Sequence, residues 1–316
     1  MLNRNAEALF WVGRYTERAE NHARLIDVHY HIQQEKDGEN GGEKWARLID
    51  ALGARNDYLL RYEAFTEKDV LSFLVLDTEN VNSLRSCVSG ARSNLRTLRE
   101  MLPTELWDVL NGFYLWLGDQ QVEQLLESPH GFFKRTKEWM AMFQGAEHSV
   151  MLRENEFHFM ESGRFLERAE NTLRILQSVS LAISEDNAAP YPYLLAVLKS
   201  VSGYQAFRRF YADAMAMESI VEFLLRSEVF PRSVFFSFDA LETHLKGIEL
   251  EEQGRSLPHD KAIRLSWKVK ADLACMEKED IDLSGFAGVL GDLMRAAQQI
   301  GHAMAGGFFR REEATA

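Results

Sequence analysis

Apolar residues recur along this chain in steps of three and four. The first run is the clearest. Leu9, Val12, Thr16, Ala19, Ala23, Ile26 and Tyr30 follow one another at that spacing, which puts them on one stripe of a helix with about 3.6 residues per turn. A helix is predicted over 4–34. Residues 36–44, rich in Gly, Glu and Asn, read as a loop, and helical pattern returns in short pieces to about Leu76. Asn82 offers an N-cap for a helix running towards Met101 and stopping before Pro103. Helices are expected over 104–126 and 132–143, separated by a break at Ser128-Pro129-His130-Gly131. From Met151 a long helix reaches about Ile183, and 184–192 form a turn-rich break. Further helices are expected around 193–211, 216–226, 232–250, 259–278 and 286–308, with a loop at 251–259. No stretch sustains the period-two alternation of a strand, so the chain reads as all-α.

One polar pattern overlies this frame twice, 150 residues apart. Residues 13–24 begin Gly13-Arg14-Tyr15-Thr16-Glu17-Arg18-Ala19-Glu20-Asn21 and end on Arg24. Residues 163–174 begin Gly163-Arg164-Phe165-Leu166-Glu167-Arg168-Ala169-Glu170-Asn171 and end on Arg174. Eight of the twelve positions are identical, and seven of those eight are Gly or polar. The apolar positions drift while the charged ones stay, the reverse of what a helix kept only for its core would show. Weaker matches hold the same offset: Val70, Phe73 and Leu74 against Ile220, Phe223 and Leu224, and Ser83, Leu84 and Leu95 against Ser233, Val234 and Leu245. The register is lost after Leu245. Two copies are too few for a solenoid. The expected product is a single helical-bundle domain over 1–316, built from duplicated multi-helix units at 1–150 and 151–310. The units would be related by a pseudo-twofold axis, with the two motif-bearing helices near it.

At about 100° per residue, Gly13, Glu17, Glu20, Asn21 and Arg24 share one arc of the first helix, flanked by Arg14 and Arg18. Three- and four-residue spacings lead from Glu17 to Arg14 and Asn21, and from Asn21 on to Arg24. Glycine inside a helix costs about 1 kcal/mol relative to Ala, so Gly13 and Gly163 imply close approach of another backbone. Two readings of this face stand side by side. One is a buried ion-pair lattice that fixes the register of the two helices. The other is a polar cleft whose arginines clamp a carboxylate or phosphate and whose glutamates act as acid and base.

Composition narrows the field. The net charge of −12 opposes nonspecific nucleic-acid binding, which needs a concentrated basic face. Cys87 and Cys275 have neither metal-ligand spacing nor a disulfide framework, which suits buried or half-buried thiols in a reducing compartment. No segment approaches the roughly 20 apolar residues of a membrane span, and residues 1–21 carry charge without an apolar signal core. The expectation is a cytoplasmic protein without cofactor or metal. No phosphate-binding glycine loop or nucleophile elbow occurs. The pair Glu127 and His130 spans Pro129, where a helix is not expected, which argues against a di-iron bundle. His148, Glu154, His158 and Glu161 cluster in sequence; Glu154 and His158, four apart, have the spacing to hold a metal, but the group reads first as solvated charge around a helix start. Ser89-Gly90 and Ser202-Gly203 read as helix-packing sites. Trp11, Trp107, Trp116, Trp139, Phe235 and Phe236 read as core, and Met215 and Met217 as gap-filling core or a plastic contact surface. The end, from Gly306 to Arg311, reads as a frayed terminus, with a partner-docking tail as the alternative.

The paired Gly-Arg-Tyr/Phe-x-Glu-Arg-Ala-Glu-Asn-x-x-Arg motifs resemble the bacterial alpha-E family, an all-α domain named for its ER motif. Phe73-Leu74-Val75-Leu76-Asp77 with Asn82-Ser83, and Phe223-Leu224-Leu225-Arg226 with Arg232-Ser233, strengthen the likeness, which covers nearly the whole chain. The resemblance implies a partner rather than a reaction. Such proteins accompany, or are fused to, circularly permuted ATP-grasp proteins resembling amide or peptide ligases, near transglutaminase-like peptidases and proteasome-like hydrolases. The motif positions carried over are Arg14, Glu17, Arg18, Glu20, Asn21 and Arg24, with Arg164, Glu167, Arg168, Glu170, Asn171 and Arg174. One departure stands out: Trp11-Val12 before the first motif becomes Glu161-Ser162 before the second. Three functions follow as expectations. The first is a non-enzymatic module that binds the ligase or its substrate. The second is an enzyme with Glu17 or Glu167 as general base. The third is a purely structural scaffold.

Overall fold

Both ER segments lie on helices of 32 residues, α1 (Asn3–Gln34) and α9 (Asn155–Asp186). The computed structural model describes residues 3–34, 41–186, 191–211, 215–249, 257–276 and 286–309, and it is helical without a strand among them. Neither long helix has a single apolar face. α1 buries Leu9, Val12, Ala19, Ala23 and Ile26, and also Thr16, Glu17 and Glu20. A helix buried on every side needs neighbours on every side. Those of α1 are α9, α5 (Leu84–Thr97), α8 (Pro129–Val150) and α10 (Tyr191–Ser200). Those of α9 are α1, α13 (Val234–Gly247), α15 (Phe286–Met304) and α2 (Gly41–Ala51).

The order of elements is parallel in the two halves. α2, α3 (Arg55–Leu59), α4 (Glu67–Leu71) with the π-helical turn Ser72–Leu76, α5, α6 (Thr104–Gly118) and α8 follow α1. α10, α11 (Tyr204–Tyr211), α12 (Met217–Arg226), α13, α14 (Leu257–Cys275) and α15 follow α9. α6 packs on α5 and α8 as α14 packs on α13 and α15. The short α7 (Val122–Glu127) has no counterpart among the described residues. α2 of the first half lies on α9 and α10 of the second lies on α1, so each half reaches across to the other's long helix. Both α5 and α13 begin with a capping serine: Ser83 accepts from the Ser86 N–H at 3.1 Å and Ser233 from the Phe236 N–H at 3.0 Å. One hydrophobic core runs through both halves, with Phe113, Phe133 and Phe143 fully buried in one and Phe207, Phe223 and Phe238 in the other.

Several boundaries differ from the expectations, each for a local reason. The cap of α5 is Ser83 rather than Asn82, and α5 ends at Thr97, short of Met101. The helix expected over 104–126 is two, broken at 119–121. Pro129 opens α8 instead of interrupting it. At the first helical position its missing N–H would have had no partner anyway, and the helix then runs on to Val150. Ser202 adopts φ 54°, which ends α10 and divides the helix expected over 193–211; Ser202-Gly203 is a turn, with Gly203 buried closely against the Phe230 ring. Gly41 to Lys44 are already helical in α2, and His259 lies within α14. The remaining loop residues 36–40, 187–190 and 250–256 lie outside the described residues. The frayed end is also corrected. Ala305–Phe309 form a π-helical turn, Phe308 is buried against the rings of Phe159 and His259, and Phe309 meets Phe10; Arg310 and Arg311 lie outside the described residues. Trp11, Trp107, Trp116, Trp139, Phe235 and Phe236 are half-buried at the edge of the core rather than inside it. Cys87 is buried, and burial pushes its thiol up to about 12, whereas Cys275 is exposed.

Candidate functional site

α1 and α9 meet backbone to backbone at their glycines. A Cβ on Gly13 would fall inside the van der Waals shell of the Met160 carbonyl oxygen, and one on Gly163 inside that of Phe10. Any side chain here would drive the helices apart. Beyond the glycines the partners advance together along both helices: Arg14 and Arg18 meet Glu167, and Arg168 meets Glu17. The two helices therefore run side by side in the same direction, with their ER faces turned on one another.

The ion pairs cross between the helices. Arg18 holds Glu167 with two bonds, Nε to Oε1 at 2.8 Å and Nη2 to Oε2 at 2.9 Å. Arg168 holds Glu17 in the same forked manner, at 2.8 and 2.7 Å. Two parallel N–H···O bonds are the strongest geometry a guanidinium and a carboxylate can adopt. Arg14 adds a bond to Glu167 at 2.6 Å and one to Glu170 at 2.8 Å. Glu170 also accepts from Arg174, one turn along its own helix, at 2.8 Å. Around Glu17 the second guanidinium comes from Arg232, which also donates to Glu20 at 2.8 Å and to Asn21 at 2.6 Å. Glu20 accepts from Arg24 and from the Gln144 amide of α8 as well. The reach expected from Glu17 to Arg14 along its own helix is thus not used. Along that helix only Asn21 bonds it, at 3.1 Å, and its charge is met from across the interface.

This face is interior. Glu17 and Glu167 are 0% exposed, and Glu20, Glu170, Arg14, Arg168 and Asn171 are buried. Arg174 and Arg24 form the wetter rim, with side chains 33% and 24% exposed. Burial alone would raise the Glu17 carboxyl, but the Arg168 and Arg232 guanidiniums overcome it and hold it down at about 2. Glu167 is likewise pulled far below its ordinary range, against burial, by Arg14 and Arg18. Both are fixed anions at neutral pH. His22, on the same helix, is kept neutral by burial and by Arg18, down to about 3.

The two motif arginines Arg14 and Arg164 part company. Arg14 joins the crossing and lies over the rings of Phe10 and Trp11. Arg164 turns away and pairs with Glu161 and Glu147. Arg232, at the loop position matching Asn82, takes the vacated place beside Glu17, while the Asn82 side chain accepts from Arg18 at 2.8 Å. Sequence reasoning missed Arg232, Gln144, Glu147 and His244 as members of these networks. Arg232 was visible only as a residue of the family-like Arg232-Ser233 stretch. His148, His158 and Glu161 do come together, joined by His244, but Glu154 touches that group only through its backbone carbonyl. Among the described residues no three His, Cys, Asp or Glu side chains have metal-holding geometry.

The chain matches, over residues 1–309, the Alpha-E family, described as a predicted alpha-helical domain with a conserved ER motif, and it belongs to that family. It is 24% identical over 309 residues to an uncharacterized protein of Mycobacterium bovis and to one of Mycobacterium tuberculosis. Each alignment covers 90% of this chain and 34% of the relative, so the chain spans about a third of the length of the curated relatives it matches. No solved structure matches it.

Proposed function

We propose that this Alpha-E protein is a helical partner module without turnover of its own, working with an ATP-grasp amide or peptide ligase in peptide modification or turnover. The observation that carries this reading is the burial of the ER carboxylates. Glu17 and Glu167, the best candidates for a general base, are 0% exposed and forked by guanidiniums. A carboxylate held down at about 2 is a poor base at neutral pH. The ER network then acts as the lock that sets two long helices in one register, and the surface of the bundle is left to meet a partner. With no phosphate-binding loop in this chain, the ATP chemistry belongs to the ligase. The length of the mycobacterial relatives supports a module that works beside other polypeptide. The same reading takes residues 1–316 as one domain made of repeats 1–150 and 151–310, acting in the cytoplasm. Transglutaminase-like or proteasome-like hydrolases are the further partners it admits.

The test is co-expression with a circularly permuted ATP-grasp protein from the same genome. The expected result is a complex that survives size exclusion and changes the ligase's ATP consumption on peptide or amino-acid substrates. Failure to associate, or turnover of those substrates by this chain alone that is lost in Glu17→Gln with its fold intact, overturns the reading and favours the enzyme.

A further inference from the structure

A second buried cluster surrounds Arg164, outside the crossing. Its guanidinium donates to Glu161, one turn earlier on α9, and to Glu147, near the end of α8. All three are buried, Glu147 and Arg164 almost completely. One cation therefore faces two carboxyl groups, and Oε1 of Glu147 has no hydrogen-bond partner. Three imidazoles complete the cluster. Nε2 of His148, on α8, is 3.6 Å from Oε2 of Glu161, and Nε2 of His244, on α13, is 3.8 Å from the same oxygen. Nδ1 of His244 is 3.1 Å from Nδ1 of His158 on α9. From α1 the charge acting on Arg164 is Glu17, while Arg153 and Glu249 act on His158. At the place of Glu161 the other half has Trp11.

The same groups secure the joint between α8 and α9, residues 151–154. The Arg153 guanidinium donates to the His148 carbonyl at 2.7 Å and lies 3.9 Å over the Phe157 ring, which in turn contacts His148, His158 and His244. We propose that this cluster is a proton-operated latch on the α8–α9 joint. With a proton on Glu147, Arg164 balances the single charge of Glu161 and the joint is closed; without it, two anions share one cation in the interior and the joint loosens.

The electrostatics agree with the geometry. Burial pushes the Glu147 carboxyl up to about 7, against Arg164 and with the help of Glu161. Burial works the same way on Glu161, but Arg164, His148 and His244 hold it at about 2. Of two close carboxyls on one guanidinium, one keeps the proton. Burial also pushes His244 down to about 4, so it is neutral where Glu147 titrates. The exposed side of His148 gives the cluster its contact with solvent. The signs follow from linkage. Glu147, raised from 4.5 to about 7, contributes stability that is complete below 4.5 and lost as pH rises through 7. Glu161 and His244, both lowered, contribute stability that is lost on the acid side, Glu161 below 4.5 and His244 from 6.5 down to 4.

The experiment compares melting temperatures of wild type and Glu147→Gln from pH 5 to pH 8. Glutamine imitates the protonated acid. The two proteins should melt together near pH 5, and the variant should melt several degrees higher by pH 8. An offset that is the same at every pH overturns the latch. If the variant does not fold, wild type alone decides. Its infrared spectrum should carry a protonated-carboxyl band at pH 6 that is gone at pH 8, and the amides of 148–157 should lose hydrogen-exchange protection over the same interval once intrinsic rates are corrected. Absence of the band at pH 6, or unchanged protection, overturns it.

Discussion

Arg14 and Arg164 occupy the same place in the two ER motifs and do different work. Arg14 clamps Glu167 and Glu170 across the helix crossing. Arg164 leaves the crossing for Glu161 and Glu147, and Arg232 stands in for it beside Glu17 and Glu20. The count of charges explains why the exchange holds. Around Glu167 and Glu170 there are three guanidiniums, Arg14, Arg18 and Arg174; around Glu17 and Glu20 there are also three, Arg168, Arg24 and Arg232. A buried carboxylate pair is tolerated only with enough cation around it, so the diversion of Arg164 requires a replacement. The crossing is thus nearly symmetric in charge while its supports differ, and the difference leaves one half free to carry the Glu147 cluster.

The sharpest way to break the crossing is at its glycines. Gly13→Ala and Gly163→Ala each place a methyl group against a backbone carbonyl that cannot rotate aside. Ordinary overpacking costs about 1–3 kcal/mol; here we expect more than about 4 kcal/mol, in the range reserved for a named structural failure. Urea unfolding of both variants measures it. A loss below about 1 kcal/mol in either would mean that the helices separate without penalty and that their close approach is not what fixes the register.

Next in size are the carboxylates at the centre. Glu17→Gln and Glu167→Gln strand two or three guanidiniums each, and we expect a loss of about 3–5 kcal/mol for either one. Both carboxyls are lowered in the fold, so their contribution is present above an ordinary value of 4.5 and lost as pH falls towards 2. Acid melts should therefore separate the two clusters: the crossing fails below about pH 4.5, whereas the Arg164 cluster responds near 7. Equal stability of Glu17→Gln and wild type at pH 7 would show that this network adds nothing to the fold.

How much of this was legible in the sequence depends on the range of each interaction. The long helices were, because a stripe from Leu9 to Tyr30 is a local signal, and so were Gly13 and Gly163, because a glycine in mid-helix calls for a reason. Pro129 was misread because the same residue breaks a helix inside and opens one at its start. The partners of Glu17 were misassigned to its own helix because three- and four-residue spacings can be counted, while Arg168 and Arg232, 151 and 215 residues away, cannot. A buried lattice and an open cleft were both consistent with the polar face, because spacing alone does not say what covers it. The departure of Glu161 from Trp11 was visible, but its meaning needed Glu147 and His244 brought from α8 and α13.

The mildest changes test whether Arg232 really balances the loss of Arg164. Arg232→Asn removes a buried guanidinium with side-chain exposure of only 12% and leaves Glu17, Glu20 and Asn21 each short of a donor. We expect about 2–3 kcal/mol, since charged hydrogen bonds in the interior are the costly ones to leave unmade. Asn82→Ala removes one bond to Arg18 at an exposed position and should cost about 0.5–1 kcal/mol. The mirror substitution is more telling than either. Asn82→Arg would give the Glu167 side a fourth guanidinium beside Arg14, Arg18 and Arg174, against the same two carboxylates. If the count of three to two is what each side needs, this variant melts below wild type although it copies the residue its counterpart uses. Were it instead to melt higher, the surplus cation would be welcome, and Arg232 would be an addition to its side of the crossing rather than the substitute for Arg164.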